Sequence, residues 1–185
     1  VEAVTGVRPK LLAKPEALKA KSLIIIGTIG HSSLIDSLVS QGRLNIDSVK
    51  GKWESALTTV IDHPFPHVSS ALVIAGSDRR GAAYAVFDLS RQIGVSPWIW
   101  WADVPAKHHA FLAVKDGIYI QKSPSVRYRG IFLNDEDWGL RPWAAGKMDP
   151  QLHNIGPRTY TRIFELLLRL RANTPWPAMH YRTLP

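Results

Sequence analysis

Residues 130–137 read Gly-Ile-Phe-Leu-Asn-Asp-Glu-Asp, so an apolar run passes directly into Asn and three consecutive acids. Apolar residues suit a dry, packed strand, whereas ionised carboxylates need water or a strong partner. This abrupt change indicates a strand that delivers acids to the rim of a sheet or barrel, where parallel α/β proteins keep their chemistry. A solvated turn after a strand explains the same residues, so the rest of the chain has to decide between these two interpretations.

The residues around this stretch predict one βαβ unit. A strand is predicted over Val126–Leu133, and the clearest helical pattern in the chain covers Thr159–Arg171. Asn173 ends the helix, and an extended segment follows at Thr174–Met179. The order of strand, acidic loop, helix and strand is typical of a parallel pair joined by a crossover helix. The predicted apolar stripe of the helix consists of Tyr160, Ile163, Phe164, Leu167 and Leu170, widened by Leu166 and Leu168.

A single βαβ unit cannot bury both faces of a parallel sheet. Its Leu-rich helix would leave much of the apolar stripe exposed to water. The sequence therefore predicts that this chain is a fragment of a larger fold, or that it docks against another piece of protein.

The first 125 residues predict a mixed α/β domain, with residues 126–185 forming a second unit. Apolar runs predict strands at Leu23–Ile26 and Ala71–Ala75. Helices are predicted from Ser32-Ser33 to Gly42, with the serines as caps, and over Ala82–Ile93. Strands or a hairpin are further predicted at Trp98–Trp101, Phe111–Val114 and Gly117–Ile120, and residues 142–157 are predicted to form a loop.

Composition excludes several classes of protein. A hydrophobic content of 45% over 185 residues supports a folded core. The net charge is +8, but the basic residues are dispersed, and Arg79-Arg80 is among their tightest groupings. Nucleic-acid binding is therefore not expected. The absence of Cys excludes disulfides and thiolate sites, and no apolar run approaches the roughly 20 residues of a membrane span.

Two motifs favour structural explanations over ligand sites. Gly76–Gly81 follows a predicted strand and precedes a helix, where backbone N–H groups can bind an anion. The motif lacks the Walker and dinucleotide patterns, so helix capping by Ser77 or Asp78 is favoured. The neighbours His108 and His109 would point to opposite faces of a strand, so no metal site is predicted.

Three tryptophans form a cluster in Trp98-Ile99-Trp100-Trp101. On a strand, Trp98 and Trp100 would lie on one face and Trp101 on the other. Both faces would then be covered, so packing at a junction between domains is favoured over stacking against a sugar.

Asp135 and Glu136 of the acidic run are candidates for acid–base chemistry. Glycosidases use two carboxylates that flank the scissile bond at separations of about 5 to 9.5 Å. The side chains of Asp135 and Glu136 diverge because the two residues are adjacent. At most one of them belongs to such a pair, and the second carboxylate has to come from a strand that this chain lacks.

Four ordered segments together resemble family 115 of the glycoside hydrolases, the xylan α-1,2-glucuronidases. The similarity covers most of residues 23–180. The segments are Ala75–Gly81 (AGSDRRG), Tyr84–Ala102 (YAVFDLSRQIGVSPWIWWA) with Asp103-Val104-Pro105, Tyr128–Glu136 (YRGIFLNDE) and Ile163–Met179 (IFELLLRLRANTPWPAM).

This resemblance implies a fold and an activity. Family members have a small α/β domain before a (β/α)₈ TIM barrel, and they release 4-O-methylglucuronic acid or glucuronic acid from xylan side chains by inversion, without a known cofactor. Residues 1–125 would be the leading domain, and residues 126–185 would be the first, incomplete part of the barrel. The chain would then be a glycoside hydrolase segment that is inactive alone.

The resemblance also implies a set of site residues. Asn134-Asp135-Glu136 matches an Asn-Asp-Glu motif at the exit of the first barrel strand. Asp135 or Glu136 would then be a catalytic carboxylate, and Asn134 would bind sugar hydroxyls. Trp176 and His180 fall where the second strand exits and are expected to contact the uronic acid. His180 departs from the pattern, because many members carry Trp at this place.

The partners implied by the resemblance are glucuronoxylan or its oligosaccharides and the remainder of the parent chain. Neither a metal nor an organic cofactor is implied, a homodimer is left open, and a secreted or periplasmic location is expected. A different class of function also stays open, namely a non-catalytic carbohydrate-binding or interaction module derived from the same family.

Overall fold

The computed structural model describes residues 1–12, 20–134 and 139–177, and the chain divides into two compact units. The first unit comprises Val1–Ser96 and Pro105–Ser125, and the second comprises Pro97–Val104 and Val126–Pro185. Residues 97–104 were predicted to belong to the first domain, and the domain boundary itself stays a prediction.

The first unit is a four-stranded mixed sheet with helices. In order of position, the strands are β1, β3, β2 and β4, with β1 parallel to β3 and the two other pairs antiparallel. The mixed α/β character predicted from the sequence is confirmed. The elements are α1 (Glu2–Thr5), β1 (Ser22–Thr28), α2 (Ser33–Ser40), β2 (Ala56–Asp62), β3 (Ser70–Gly76), α3 (Arg79–Gln92) and β4 (Ile118–Gln121).

Helices α2 and α3 cover opposite faces of this sheet. Neighbouring strand residues point to opposite faces, so Val73 and Ile74 of β3 belong to different cores. Val73 packs in the cluster that contains Ile35 of α2, whereas Ile74 packs with Ala85 of α3. Consecutive residues of the central strand β3 are buried, so both of its faces are covered and it lies between two helical layers.

Several local predictions in the first 125 residues are wrong. Trp98–Trp101 forms a turn and Phe111–Val114 is irregular, so of the three predicted strands only Gly117–Ile120 corresponds to a strand, β4. A short apolar run cannot by itself distinguish a strand from a packed turn. Ser32 precedes α2 but makes no side-chain capping bond.

The Gly76–Gly81 motif is a structural junction. Asp78 caps α3, because its Oδ1 accepts a hydrogen bond from the Gly81 N–H at 2.7 Å. Its Oδ2 accepts from the Glu54 N–H at 2.7 Å, and Arg80 forms an ion pair with the buried Glu54. A Cβ at Gly81 would lie 2.1 Å from the Ser55 carbonyl oxygen, so only glycine fits. The capping interpretation is confirmed for Asp78.

The second unit contains the predicted βαβ arrangement. Strands β5 and β6 pair in parallel with α5 between them in the chain, which confirms that prediction. β5 is shorter than the predicted Val126–Leu133, and a region predicted as a loop contains a short helix and a π-helical turn. The elements are β5 (Gly130–Phe132), α4 (Leu140–Trp143), the π-helical turn Ala144–Met148, α5 (Pro157–Arg169) and β6 (Thr174–Trp176).

Helix α5 contributes Tyr160, Ile163 and Leu167 to the core of the second unit. Its buried apolar residues pack with Leu133, which follows β5, and with Ile155, which precedes the helix. The predicted stripe is wrong at two positions, since Phe164 is 45% exposed and Leu170 is 43% exposed. The buried side is formed by Tyr160, Ile163, Leu166 and Leu167.

The tryptophan turn packs on α5 within this second unit. The Trp100 indole N–H donates to Glu165 at 3.2 Å, and the Arg162 guanidinium lies 3.7 Å from the centre of the Trp100 ring. Burial raises the pKa of the Glu165 carboxyl, but hydrogen bonds from Arg169, from Arg162 and from the indole outweigh this effect and hold that pKa below its usual value. Trp101 stacks obliquely on Trp143, with ring centres 5.1 Å apart. Trp98–Trp101 was predicted to form a strand with both faces covered, and these residues form a turn instead.

A buried carboxylate fixes the start of α5. Asp149 accepts hydrogen bonds from the N–H groups of Gly156, Arg158 and Thr159, and from the Thr159 hydroxyl at 2.6 Å. These groups include orphan donors of the first helical turn. Burial raises the pKa of the Asp149 carboxyl, but the four bonds outweigh it and hold that pKa below its ordinary value.

Replacing Asp149 with Ala is expected to lower the free energy of unfolding by about 2 kcal/mol, because several buried donors lose their acceptor. The folded-state pKa is depressed, so this contribution is complete above the ordinary Asp pKa of about 3.9. It is lost as the pH falls through the lower, folded-state value. Urea unfolding of both proteins from pH 7 into acid should therefore show the difference shrinking. The exposed Asp47, replaced by Ala, is the control, and an equal effect at both positions would contradict the assignment.

Candidate functional site

The candidate site lies at the carboxyl ends of β5 and β6. The strands are paired with Gly130 opposite Thr174 and Phe132 opposite Trp176, so their carboxyl ends are level. One further hydrogen bond, from the Leu133 N–H to the Trp176 carbonyl at 2.8 Å, continues the pairing. The exposed Asn134 follows directly. The structure therefore brings two of the predicted site residues, Asn134 and Trp176, to the same edge of the sheet.

The sheet face that Phe132 and Trp176 share is exposed and aromatic. The two rings meet edge to face, with centres 5.8 Å apart and planes at 87°. Phe132 is 55% exposed and Trp176 is 63% exposed, whereas Leu133 points into the core with α5. Because the two faces alternate along a strand, the aromatic pair lies on the side away from α5. An exposed indole can stack against the apolar face of a sugar ring, and a nearby amide can form hydrogen bonds with the hydroxyls of that ring.

Three predicted site residues lie outside the described part of the chain. Asp135 and Glu136 fall between Asn134 and Gly139, and His180 follows Pro177. Their roles stay predictions that follow from the family resemblance. Within the described ranges, no group of three or more His, Asp and Glu side chains is arranged to hold a metal ion. In those same ranges, no helix combines the length and apolarity that a membrane-spanning segment needs.

Two residues that no sequence pattern indicated, Arg129 and Asn173, join the segments entering the two strands. The Arg129 N–H donates to the Asn173 side-chain oxygen at 3.0 Å, and the Arg129 carbonyl accepts from the N–H of Asn173 at 2.8 Å. These residues are 44 positions apart, and no periodic pattern connects them. Their only signal was their presence in the segments YRGIFLNDE and IFELLLRLRANTPWPAM.

Comparisons with known proteins match this chain to one protein family and to solved structures. Residues 121–184 match the family described as glycosyl hydrolase family 115. A solved structure described as a novel family GH115 4-O-methyl-α-glucuronidase with specificity for decorated arabinogalactans is 48% identical, with a TM-score of 0.72. The alignment covers 87% of this chain and 20% of that chain, so this chain spans about a fifth of the length of that protein. No curated protein matches the chain.

Proposed function

The chain belongs to glycoside hydrolase family 115, and on this premise we propose that it supplies part of the active site of an α-glucuronidase. The enzyme releases glucuronic acid or its 4-O-methyl ether from the side chains of a polysaccharide. The observation that supports this proposal most is the parallel β5–β6 pair, because its level carboxyl ends carry Asn134 and Trp176 at one edge.

We propose that the second unit forms the first βαβ part of a (β/α)₈ barrel. In such barrels the helices pack outside the strands, and the opposite face of each strand points inward. Helix α5 covers one face of the β5–β6 pair here, and the exposed Phe132 and Trp176 lie on the other. The active sites of these barrels lie at the carboxyl ends of the strands. The exposed aromatic face is the one that further strands would enclose.

The proposed chemistry is hydrolysis with inversion. One carboxylic acid protonates the leaving oxygen of the glycosidic bond, and a carboxylate about 6.5 to 9.5 Å away deprotonates the attacking water. Asp135 or Glu136 provides one of these groups, and a later strand provides the other. Asn134 hydrogen-bonds sugar hydroxyls, while Trp176 and His180 contact the uronic acid ring. Asn134 and Trp176 lie at the same strand ends, which supports their parts in this assignment.

The proposed substrate is a glucuronoxylan or another polysaccharide with terminal glucuronic acid side chains. The similar solved enzyme has specificity for decorated arabinogalactans, so the shared chemistry is the α-linked uronic acid and not one particular main chain. A polymer of this kind cannot pass into a cell intact. For this reason we place the enzyme outside the cytoplasm, secreted or periplasmic.

Incubating the full-length protein with glucuronoxylan and with a glucuronic-acid-decorated arabinogalactan tests this proposal. Chromatography of the products is expected to show free glucuronic acid or 4-O-methylglucuronic acid from at least one polymer. The relative rates on the two polymers give the preferred main chain. Binding to both polymers without release of uronic acid would contradict the proposed enzymatic activity. It would favour a non-catalytic carbohydrate-binding module.

A further inference from the structure

The side chain of Arg129, just before β5, bonds to two separate segments of backbone. Its Nε–H donates to the Arg171 carbonyl at 2.8 Å, at the end of α5. Its Nη1 donates to the Val126 carbonyl at 2.7 Å and to the Arg127 carbonyl at 3.1 Å. Because the guanidinium is planar and rigid, these bonds fix the entrance of β5 against the chain that leads into β6.

Asn173 completes the connection from the other side. Its Nδ2 donates to the Arg127 carbonyl at 2.8 Å, while its Oδ1 accepts from the Arg129 N–H. The Arg129 carbonyl in turn accepts from the N–H groups of Asn173 and Thr174. Arg171 has a φ of 58°, a left-handed conformation that is uncommon for arginine, and its carbonyl is the one that Arg129 binds. We refer to the bonds made by Arg129 and Asn173 as the Arg129–Asn173 clamp.

The position of the clamp gives it control over the register of a very short strand pair. β5 and β6 have three residues each, so few ladder bonds hold them in line. A slip of one residue turns every side chain of a strand to the opposite face. Such a slip would move Trp176 from the exposed face toward α5 and would displace Asn134. The clamp lies at the amino ends of the strands, and the candidate site lies at their carboxyl ends.

We propose that Arg129 and Asn173 are positioning residues for the active site, which they serve by fixing the register of β5 and β6 from the opposite end of the strands. This inference rests on the proposed glucuronidase function. It predicts that the loss of the Arg129 side chain displaces Asn134 and Trp176 without unfolding α5. A misplacement of about 1 Å is sufficient to reduce a rate by about 100-fold.

The kinetic test compares Arg129→Ala with wild type in the full-length protein. A fall in kcat of about 100-fold is expected, and KM should rise as well, because the shift misaligns the reacting groups and also displaces Trp176, which contacts the sugar. Added guanidinium ion should restore part of kcat in this variant. Arg127→Ala is the matched control, since that side chain is exposed and its carbonyl is kept, and its kcat should stay near wild type. An unchanged kcat in Arg129→Ala would overturn the proposal.

Amide hydrogen exchange separates positioning from general stability. In Arg129→Ala, the Leu133 N–H, which bonds to Trp176, is expected to lose protection, while the Ile163 and Leu167 amides of α5 keep theirs. Equal loss at all these sites would show a purely structural role and would overturn the inference. If wild-type protein releases no uronic acid, the proposed function fails. The exchange pattern at Leu133 then still decides whether the clamp sets the register.

Discussion

Replacing Glu136 with Gln, or Asp135 with Asn, in the full-length protein is expected to lower kcat by about 1,000-fold for at least one of the two variants. A general acid or base contributes about 10² to 10⁴ in rate, and an amide of the same size cannot exchange the proton. Because adjacent side chains diverge, the two variants should differ strongly from each other. The residue whose loss is the more damaging is the one that belongs to the carboxylate pair.

The third acid of the run provides the control for this prediction. Asp137→Asn removes the same charge from the same stretch, and its kcat should stay within a few-fold of wild type. The more damaging variant should also lose one limb of a bell-shaped dependence of kcat/KM on pH, since that limb reports the missing group. Near-normal rates in both Asp135→Asn and Glu136→Gln would remove these acids from the mechanism.

The second large effect is expected from Gly130→Ala. A Cβ at this position would lie 1.6 Å from the Thr174 carbonyl oxygen, which is part of the paired strand and cannot move aside. The strands must separate or slip, and we expect a loss of about 3 kcal/mol in the free energy of unfolding. Urea denaturation, followed by tryptophan fluorescence, measures this loss. The same variant of the full-length protein should also lose most of its activity.

Gly146→Ala is the matched control for the glycine substitution. Gly146 lies in the π-helical turn Ala144–Met148, and a Cβ added there meets no atom within 4 Å. Its unfolding midpoint should be unchanged or slightly raised, because Ala restricts the unfolded chain more than Gly does. A Gly130→Ala protein as stable as Gly146→Ala would show that β5 and β6 do not pair as described.

The sequence was sufficient wherever one local signal decided the structure. Apolar runs bounded by Gly or polar residues located β1 and β3, and a capping Asp78 with Gly94 after the helix located α3. The period of 3.6 residues located α5. Together with an extended segment on each side of α5, this pattern was enough to predict the parallel pair.

Prediction from the sequence failed where long-range packing determines the local structure. The turn at Trp98–Trp101 carries the residues of a strand, but the indole of Trp100 bonds to Glu165, 65 positions away. Phe164 lies on a helical period with buried residues, yet its ring is partly exposed, since the core of α5 is centred on Ile163 and Leu167. Neither outcome follows from local propensity, because tertiary contacts override it.

In the candidate site, too, some features could be predicted from local sequence and others depend on long-range contacts. The change from apolar to acidic residues located a strand end, and the structure places Asn134 and Trp176 at level strand ends. No periodic pattern in the sequence indicates the bonds between Arg129 and Asn173, because each side chain bonds to the backbone of a distant segment. Such residues are found only when the two strands are seen side by side.

The most direct test of the central claim is proton NMR of the full-length protein acting on a polysaccharide with α-linked glucuronic acid side chains. The account predicts that free uronic acid is released and that the β anomer appears first, because inversion of an α linkage gives the β product. The α anomer appearing first would contradict the inverting chemistry. No uronic acid released from glucuronoxylan or from decorated arabinogalactan would contradict the proposed function itself.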